Sequence, residues 1–280
     1  MRTMNKTEAF SVLMAVYAKE NPEHFRLALQ SNLVEQTLLP NEMILVCDGP
    51  LTPALDAVIA EYQEKCPDIL RVHRLKENGG LGNALNFGLK QCQYEWVARS
   101  DSDDVCDEQR FELQMQYLQN HPDVDILGTC IDEFEEDWRS PARKKTMPSD
   151  HESIVKMGQF RNPINHMSVV FRKAVILEAG SYQHLPYMED YYLWIRALCN
   201  GAKVENLPQY LVHARVGNGM VQRRGNRQQI ASRRILDRHM LKHGMISYPQ
   251  HWRNMLAISA FVYAPGALRE WIYKTVLRKA

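Results

Sequence analysis

Short apolar runs alternate with amphipathic stretches through the first half of the chain, and this alternation constrains the fold more than any other feature. Strands joined by crossover helices in a largely parallel sheet produce this pattern. The sequence therefore predicts an α/β fold, a mostly parallel central sheet flanked by helices, with ligands bound where the strands end. We predict strands at residues 10–16, 43–47, 69–75, 96–99 and 124–130, and helices at residues 23–34, 53–65, 81–90 and 107–120, the last with Asp107 as its N-cap.

The second half of the chain is less regular. A chain of 280 residues forms one large domain, or one domain with an appended piece. Because 45% hydrophobic and 24% charged residues are ordinary for a globular protein, the composition argues against a disordered or fibrous chain. We predict a loop-rich stretch at residues 138–148, a strand at 167–171, a helix at 188–198 and a long basic helix from about 224 to 243.

Cysteine usage and the absence of targeting signals bear on the compartment. Six cysteines are scattered without a C-x-x-C pair, and no basic and then apolar signal sequence is visible. No stretch reaches the roughly 18 uninterrupted apolar residues that a membrane-spanning helix needs. We therefore expect reduced thiols and a cytoplasmic protein, with peripheral contact to the inner face of the cell membrane left open.

The net charge of +1 conceals an uneven distribution. From His213 onward the chain has thirteen Lys and Arg against two acidic residues, so the preceding part has 21 against 31. A basic C-terminal region favours a polyanion, which can be a membrane surface, a phosphate-bearing substrate or nucleic acid. Aromatic and basic residues are interleaved around the apolar segment 255–268, which suits either a helix in an anionic membrane interface or a helical pair packed on the body.

Carboxylates follow two of the predicted strands. Asp101, Asp103 and Asp104 come directly after the fourth strand, and they repel one another unless a hard cation such as Mn²⁺ or Mg²⁺ neutralises them. A solvated acidic turn is the alternative, while a calcium loop of the EF-hand type is disfavoured because its Gly and Glu spacing is missing. Asp48 ends the second strand before a Gly-Pro pair, where it can form a turn and accept hydrogen bonds from a base or ribose.

Glu189 and Asp190 precede an apolar helix in the second half. They either stabilise the helix through its dipole or supply a general base that takes a proton from an attacking hydroxyl. His166 is a weaker candidate for a base or an acceptor contact. The glycine-rich segment 78–83 lacks the third glycine of a dinucleotide-binding loop, and no P-loop sequence occurs, so ATP-dependent P-loop chemistry is disfavoured.

An ordered series of short motifs runs from residue 10 to about residue 215. The motifs occupy residues 10–14, 46–49, 78–80, 83–89, 98–104, 109–111 and 188–194. Taken together, they resemble glycosyltransferase family 2, a group of inverting enzymes with the GT-A fold, and in particular bacterial enzymes that build capsular and other extracellular polysaccharides. The resemblance implies a GT-A domain at residues 1–215 and a basic helical C-terminal region at residues 216–280.

The resemblance also implies a role for each residue of the donor site. Asp48, Asn78 and Asp101 match residues that bind the donor nucleotide. Asp103 matches the ligand of a divalent metal, Mn²⁺ or Mg²⁺, that bridges the donor diphosphate, and Asp104 is its neighbour.

The same resemblance assigns the chemical step. Asp190 matches the catalytic base of an E-D pair whose first member is Glu189. Arg215, Arg223 and Arg224 match basic residues that serve the diphosphate in relatives. The Q-x-x-R-W motif of processive synthases is missing, so the resemblance favours a single addition.

The implied activity is transfer of one sugar, with inversion, from a nucleotide-diphosphate sugar such as a UDP-sugar to a glycan or lipid-linked acceptor of a cell-surface polysaccharide. A sugar nucleotidyltransferase is the main alternative, but its basic glycine-rich loop is missing at residues 15–21. A nucleic-acid-binding protein that uses the basic C-terminal region is the second alternative. The acidic body would repel such a polyanion, so no nucleic acid partner is expected.

Overall fold

The computed structural model of the protein describes residues 9–217 and 226–265. Its strands are β1 Phe10–Val16, β2 Glu42–Cys47, β3 Leu70–Arg74, β4 Trp96–Ser100, β5 Val105–Cys106, β6 Ile126–Phe134, β7 Arg143–Lys145, β8 Val170–Arg172 and β9 Val204–Arg215. Its helices are α1 Pro22–Leu33, α2 Pro53–Lys65, α3 Leu81–Gln91, α4 Arg110–Asn120, α5 His151–Gly158, α6 Lys173–Glu178, α7 Glu189–Cys199, α8 Gln228–Lys242 and α9 Tyr248–Tyr263.

The strands form one mixed sheet in the order β3-β2-β1-β4-β8-β6-β9-β5, with β7 paired to β6. The β3-β2-β1-β4 half is parallel, as the alternation of strands and helices predicted. Strand β8 runs antiparallel to both β4 and β6. In the parallel half, Val16 is in register with Cys47, and Met14 with Ser100, so the carboxyl ends of β2 and β4 flank that of β1 at one edge.

Two hydrophobic cores cover the two faces of the sheet. Alternate residues of β1 divide between them, because successive side chains of a strand point to opposite faces. Val12 and Met14 pack with α1, α2 and α4 on one face, whereas Leu13 packs with α3 and α7 on the other. The α/β fold predicted from the sequence is therefore confirmed, and the sheet is fixed from both sides at the edge where β1, β2 and β4 end.

Side-chain caps explain where several helices begin. The Asn21 side chain accepts a hydrogen bond from the Glu23 N–H at 2.8 Å, directly before a proline in the first turn of α1. Asp150 caps α5 in the same way, accepting from the Ser153 N–H at 2.8 Å. Such side chains satisfy backbone donors that the first helical turn leaves without a partner.

The predicted N-cap of α4 is wrong. The helix begins at Arg110, with Gln109 at the cap position. Asp107 lies one turn earlier, where its carboxylate accepts a hydrogen bond from the Gln109 N–H at 2.9 Å. The carboxylate therefore stabilises the turn before the helix rather than the helix itself, because a short Asp side chain also caps its own turn.

Three further segments differ from the sequence prediction. Strand β6 continues to Phe134, well beyond the predicted end at residue 130, and β7 lies within the predicted loop. The predicted strand at residues 167–171 is a 3-10 turn at His166–Ser168 followed by β8. Strand β9 was not predicted, because Pro208 and a register shift opposite Cys130 interrupt its alternation of apolar and polar residues.

The C-terminal helices α8 and α9 pack on the body of the protein. Arg233 of α8 donates to the Phe160 carbonyl at 2.8 Å, and Asn254 of α9 donates to the Gln159 carbonyl at 2.8 Å. A buried Asp237 on α8 connects the two helices through His251 of α9 at 2.9 Å, and it also pairs with Arg233 of its own helix at 2.6 Å. The predicted basic helix from residue 224 is confirmed from Gln228 onward, and its first residues lie outside the described range.

None of the helices within residues 9–217 and 226–265 is long and apolar enough to cross a bilayer.

Candidate active site

Asp48 fastens two loops at the carboxyl edge of the sheet. Its two carboxylate oxygens accept hydrogen bonds from the Gly79 and Gly80 N–H groups at 2.8 and 3.0 Å. The Asn78 side chain returns a hydrogen bond to the Asp48 carbonyl at 3.1 Å. Gly49 makes this approach feasible, because it has φ +86° and a Cβ there would lie 2.7 Å from the Asn78 nitrogen. The turn after β2 therefore holds the glycine-rich loop in place.

The three aspartates after β4 form a compact cluster. One carboxylate oxygen from each of Asp101, Asp103 and Asp104 lies within 4.8 Å of the others. The Oδ1 atom of Asp104 accepts a hydrogen bond from the Arg215 N–H at 2.8 Å. Its Oδ2 atom is buried and has no hydrogen-bond partner in the described part of the chain. Oxygen ligands this close together, one of them buried without a partner, fit a hard divalent cation.

Electrostatics also favour a cation at this cluster. Burial, together with the neighbouring Asp101 and Glu20, raises the pKa of Asp103 to about 7. Burial, together with Asp101 and Asp103, raises the pKa of Asp104 well above its ordinary value. A carboxylate whose ionised form is disfavoured by like charges recovers its charge when a metal ion binds. The residues present therefore fit Mn²⁺ or Mg²⁺.

A buried arginine faces the cluster from β4. Arg99 is 1% exposed, and both of its terminal nitrogens donate to the two carboxylate oxygens of Asp101. This paired geometry orients a carboxylate strongly. Arg110 holds the strand end from behind, donating to the Arg99 carbonyl at 2.7 Å and to Ser100 Oγ at 2.9 Å.

Arg215 closes the cluster from the end of β9. Besides the backbone contact to Asp104, its Nε atom donates to the Asp103 carbonyl at 3.2 Å. Its guanidinium lies 4.4 Å from the centre of the Phe134 ring. In this structure Arg215 therefore shapes the loop that carries the aspartates. Arg223 and Arg224, which the resemblance implied as diphosphate contacts, lie outside the described residues.

Asp190 lies in the first turn of α7, on another element than the aspartate cluster. Its Oδ2 atom accepts a hydrogen bond from the Asn162 side chain at 2.7 Å. Burial raises the pKa of Asp190, although the Tyr191 backbone, Asn162 and the charge of Arg99 act in the opposite direction. A raised pKa makes a carboxylate a stronger base, and the hydrogen bond from Asn162 fixes its orientation.

His166 is the other titratable candidate beside Asp190. Its Nε2 atom is 2.8 Å from the Tyr182 hydroxyl, and its ring packs edge-on to Trp194. Burial and the charge of Arg99 lower the pKa of His166 well below its ordinary value. Burial thus disfavours the protonated form of His166 and favours the protonated form of Asp190, which makes Asp190 the better candidate for a group that takes up a proton. Glu189 is occupied differently, pairing with His184 at 3.2 Å.

A pocket opens between α3 and the first turn of α7. A reciprocal pair of hydrogen bonds supports it, because the Asn86 side chain donates to the Tyr182 carbonyl at 2.7 Å and accepts from the Tyr182 N–H at 2.9 Å. Because Asp190 is one of its lining residues, the pocket connects the candidate base with solvent. It is lined by Leu81, Gly82, Leu85, His166, Tyr182, Tyr187, Glu189 and Asp190.

Three residues of this site were missed by sequence reasoning: Arg99, Asn162 and Tyr182. Arg99 lies inside a predicted strand next to the aspartates, so an arginine at a buried strand position was a signal. Tyr182 lines the pocket from the loop before α7, and Asn162 contacts Asp190 from a loop 28 residues earlier in the sequence. No local pattern identifies such contacts, because the fold brings the loops together.

Comparisons with known proteins identify the family of the chain. A family model described as Glycosyl transferase family 2 matches residues 11–177. The amylovoran biosynthesis glycosyltransferase AmsE of Erwinia amylovora is 44% identical over 215 residues, covering 77% of this chain and 79% of that protein. The UDP-Gal:alpha-D-GlcNAc-diphosphoundecaprenol beta-1,3-galactosyltransferase of Escherichia coli is 36% identical over 273 residues, covering 98% of each chain.

A solved structure shares the fold. The mannosyltransferase PcManGT from Pyrobaculum calidifontis, in complex with GDP-Man and Mn²⁺, superposes with a TM-score of 0.63 at 16% identity, covering 97% of this chain and 76% of that one. Fold and site together define a nucleotide-sugar transferase of the GT-A type. The chain belongs to glycosyltransferase family 2. This membership favours sugar transfer over both alternatives, the nucleotidyltransferase and the nucleic-acid-binding protein.

Proposed function

We propose that the protein transfers a single sugar, with inversion, from a UDP-sugar to a glycan or lipid-linked acceptor in cell-surface polysaccharide biosynthesis. The proposal rests on two carboxylate sites that lie on different elements of the fold. The aspartate cluster after β4 fits a metal, whereas Asp190 lies in a pocket at the start of α7 and is oriented by Asn162.

The donor would bind at the carboxyl edge of the sheet. Asp48, Asn78 and Asp101 would contact its nucleotide, with the loop that Asp48 holds as one wall. Asp103 would hold Mn²⁺ or Mg²⁺, with Asp104 beside it, and the cation would neutralise charge on the departing nucleoside diphosphate. Arg215, Arg223 and Arg224 remain candidates for the diphosphate. A UDP-sugar is supported by the galactosyltransferase relative, whose name specifies UDP-Gal.

Asp190 would accept the proton of the attacking acceptor hydroxyl. Its raised pKa and its fixed orientation suit this step, whereas burial and the charge of Arg99 disfavour the protonated form of His166. Attack by that hydroxyl on the anomeric carbon, opposite the departing diphosphate, gives a product of inverted configuration. Glu189 would line the pocket beside Asp190, where it pairs with His184 at 3.2 Å.

The proposed lipid-linked acceptor implies that the protein works at a membrane surface. We propose two functional regions, a GT-A domain at residues 1–215 and a basic helical region at 216–280 that contacts an anionic bilayer. On α9, Tyr248, Trp252, Leu256 and Tyr263 are spaced by four, four and seven residues, which places them on one face. They are 63 to 73% exposed, so most of this face is open to solvent; the Arg227 guanidinium lies 5.6 Å from the centre of the Tyr263 ring.

The surroundings of this α9 stripe support a lipid partner. The stripe is followed in the sequence by Arg269, Lys274, Arg278 and Lys279. Exposed aromatic and aliphatic side chains beside basic residues suit the interface of an anionic membrane. The relative whose name specifies a diphosphoundecaprenol acceptor supports the same placement, because such an acceptor is a lipid.

Two experiments test these proposals separately. A thermal-shift panel of nucleotide sugars with Mn²⁺ identifies the donor, and NMR of the product from the stabilising donor reports the anomeric configuration. Retained configuration would overturn the proposed mechanism.

Membrane contact is tested by flotation with anionic liposomes at low salt. The wild type should float, and a Trp252→Ser, Leu256→Ser double variant should lose most of its lipid-bound fraction. Leu177→Ser, at another exposed leucine on the body, is the matched control and should float like the wild type. Failure of the wild type to float would remove the membrane proposal without affecting the catalytic one.

A further inference from the structure

A second cluster of metal-ligating side chains lies away from the active site. Cys199 ends α7, and His239 and His243 lie one turn apart at the end of α8. One ligand atom from each of the three side chains lies within 4.8 Å of the others. Cys199 is nine residues after Asp190 on the same helix, so the cluster is about 14 Å along the helix axis from the candidate base.

The two histidines present free nitrogen atoms. The Nδ1 atom of His243 lies 2.9 Å from the His239 carbonyl, and because a carbonyl only accepts, Nδ1 carries the proton. The lone pair of His243 is therefore on Nε2. A hydrogen bond of this kind to the second ring nitrogen is the usual way in which proteins orient a metal-binding histidine.

His239 has a ring nitrogen that is available to a metal ion. Its Nε2 atom is buried and has no hydrogen-bond partner in the described part of the chain. A buried polar atom without a partner destabilises the folded protein unless something occupies the site. The His239 and His243 rings lie 4.3 Å apart between centroids, which keeps both near the Cys199 thiol.

The backbone around the cluster also favours a cation. Helices α7 and α8 both end here, and the carbonyl groups of a helix C-terminus carry a partial negative charge. Arg196 and Lys242, in the last turns of the same helices, act in the opposite direction. A cysteine thiolate formed on metal binding would offset them with a full negative charge.

We propose that Cys199, His239 and His243 form a zinc site that fastens α8 to the end of the helix carrying Asp190. One thiolate and two imidazoles are ligands that Zn²⁺ prefers, and hard cations such as Mn²⁺ prefer the carboxylates of the active site. His243 is exposed, so the fourth position of a tetrahedral ion is open to water. The zinc ion joins the C-terminal helices to the catalytic body independently of donor binding.

Calorimetry with Zn²⁺ alone tests the site, on chelator-treated full-length protein with excess Mg²⁺ present. The wild type should bind one Zn²⁺ per chain. His243→Gln and Cys199→Ser should bind at least about tenfold more weakly. Two controls should bind as the wild type does: Cys66→Ser, a partly buried thiol outside the cluster, and Asp103→Ala, which removes a ligand of the active-site cluster.

Two further readouts separate a lost ligand from a damaged fold. Zn²⁺ should raise the unfolding temperature of the wild type and both controls but not of the ligand variants, whose metal-free unfolding temperatures should stay near that of the wild type. With Co²⁺ as a probe, a thiolate-to-metal absorption band should be present in the wild type and absent in Cys199→Ser. Wild-type protein without stoichiometric Zn²⁺ binding, or ligand variants with unchanged affinity, would overturn the site.

Discussion

Replacing Asp190 by asparagine tests the chemical step most directly. The amide has nearly the shape of the carboxylate, and its oxygen can still accept the hydrogen bond that Asn162 donates at 2.7 Å. The change therefore removes the basic group and leaves its position intact. General-base assistance is typically about 10²- to 10⁴-fold in rate. This range corresponds to about 2.7 to 5.4 kcal/mol of activation free energy, which is the loss we expect in kcat.

The assay compares kcat with donor affinity. Release of nucleoside diphosphate, measured with saturating donor and acceptor, gives kcat, and calorimetry with the donor and Mn²⁺ gives the dissociation constant. We expect the dissociation constant of Asp190→Asn to stay near the wild-type value, because the aspartate cluster is on another element. Glu189→Gln, which alters the adjacent carboxylate in the same turn, is the matched comparison and should lose much less.

The pH profile adds an independent check. Because burial raises the pKa of Asp190, the wild-type rate should increase as the pH rises through that raised pKa and the base becomes ionised. Asp190→Asn should lack this limb. Near-normal turnover of Asp190→Asn, with the limb retained, would refute the assignment and move the base to another residue.

Further perturbations address the donor site and the fold. Asp103→Ala should abolish the Mn²⁺ dependence of donor binding, measured by calorimetry with and without the metal, and unchanged dependence would place the metal elsewhere. Since the pKa of Asp103 is raised to about 7, the metal-free folded protein binds more protons than the unfolded chain between about pH 4 and 7. Its unfolding temperature should therefore fall as the pH rises through that range, and stabilisation by Mn²⁺ should grow; a flat profile would contradict the shift. Gly49→Ala should lower the free energy of unfolding by roughly 1–3 kcal/mol in urea titrations. The new Cβ would clash with the Asn78 backbone, and the alanine would also be strained by the positive φ of this position. Gly201→Ala is the matched control for backbone strain alone, because Gly201 has φ +92° and a Cβ there would meet open space. Equal losses of unfolding free energy in the two variants would show that the clash with Asn78 contributes nothing.

The parallel half of the sheet could be predicted from the sequence because each element there is local. Strand β1 and helix α2 have the predicted bounds, since an apolar run and a Thr-Pro helix start are complete signals in themselves. Strand β9 was missed because the sheet, rather than its own pattern, stabilises it: it pairs with β6 over nine positions in spite of an internal proline.

In the candidate site, too, local features could be predicted from the sequence and contacts between distant segments could not. The aspartates after β4 follow from the rule that ligands bind at strand ends, so their clustering was predictable. The contact between Asn162 and Asp190 was not, because 28 residues separate the two and only the folded chain brings them together. The packing of α8 and α9 on the body likewise depends on Gln159 and Phe160, which carry no sequence signal.

The buried charge of Arg99 acts on both the aspartate cluster and Asp190. Its buried charge opposes the upward pKa shifts of Asp103, Asp104 and Asp190 alike, so the ionisation of each carboxylate is felt by the same guanidinium. Metal binding at the aspartates and ionisation of Asp190 would therefore be coupled through this one shared charge.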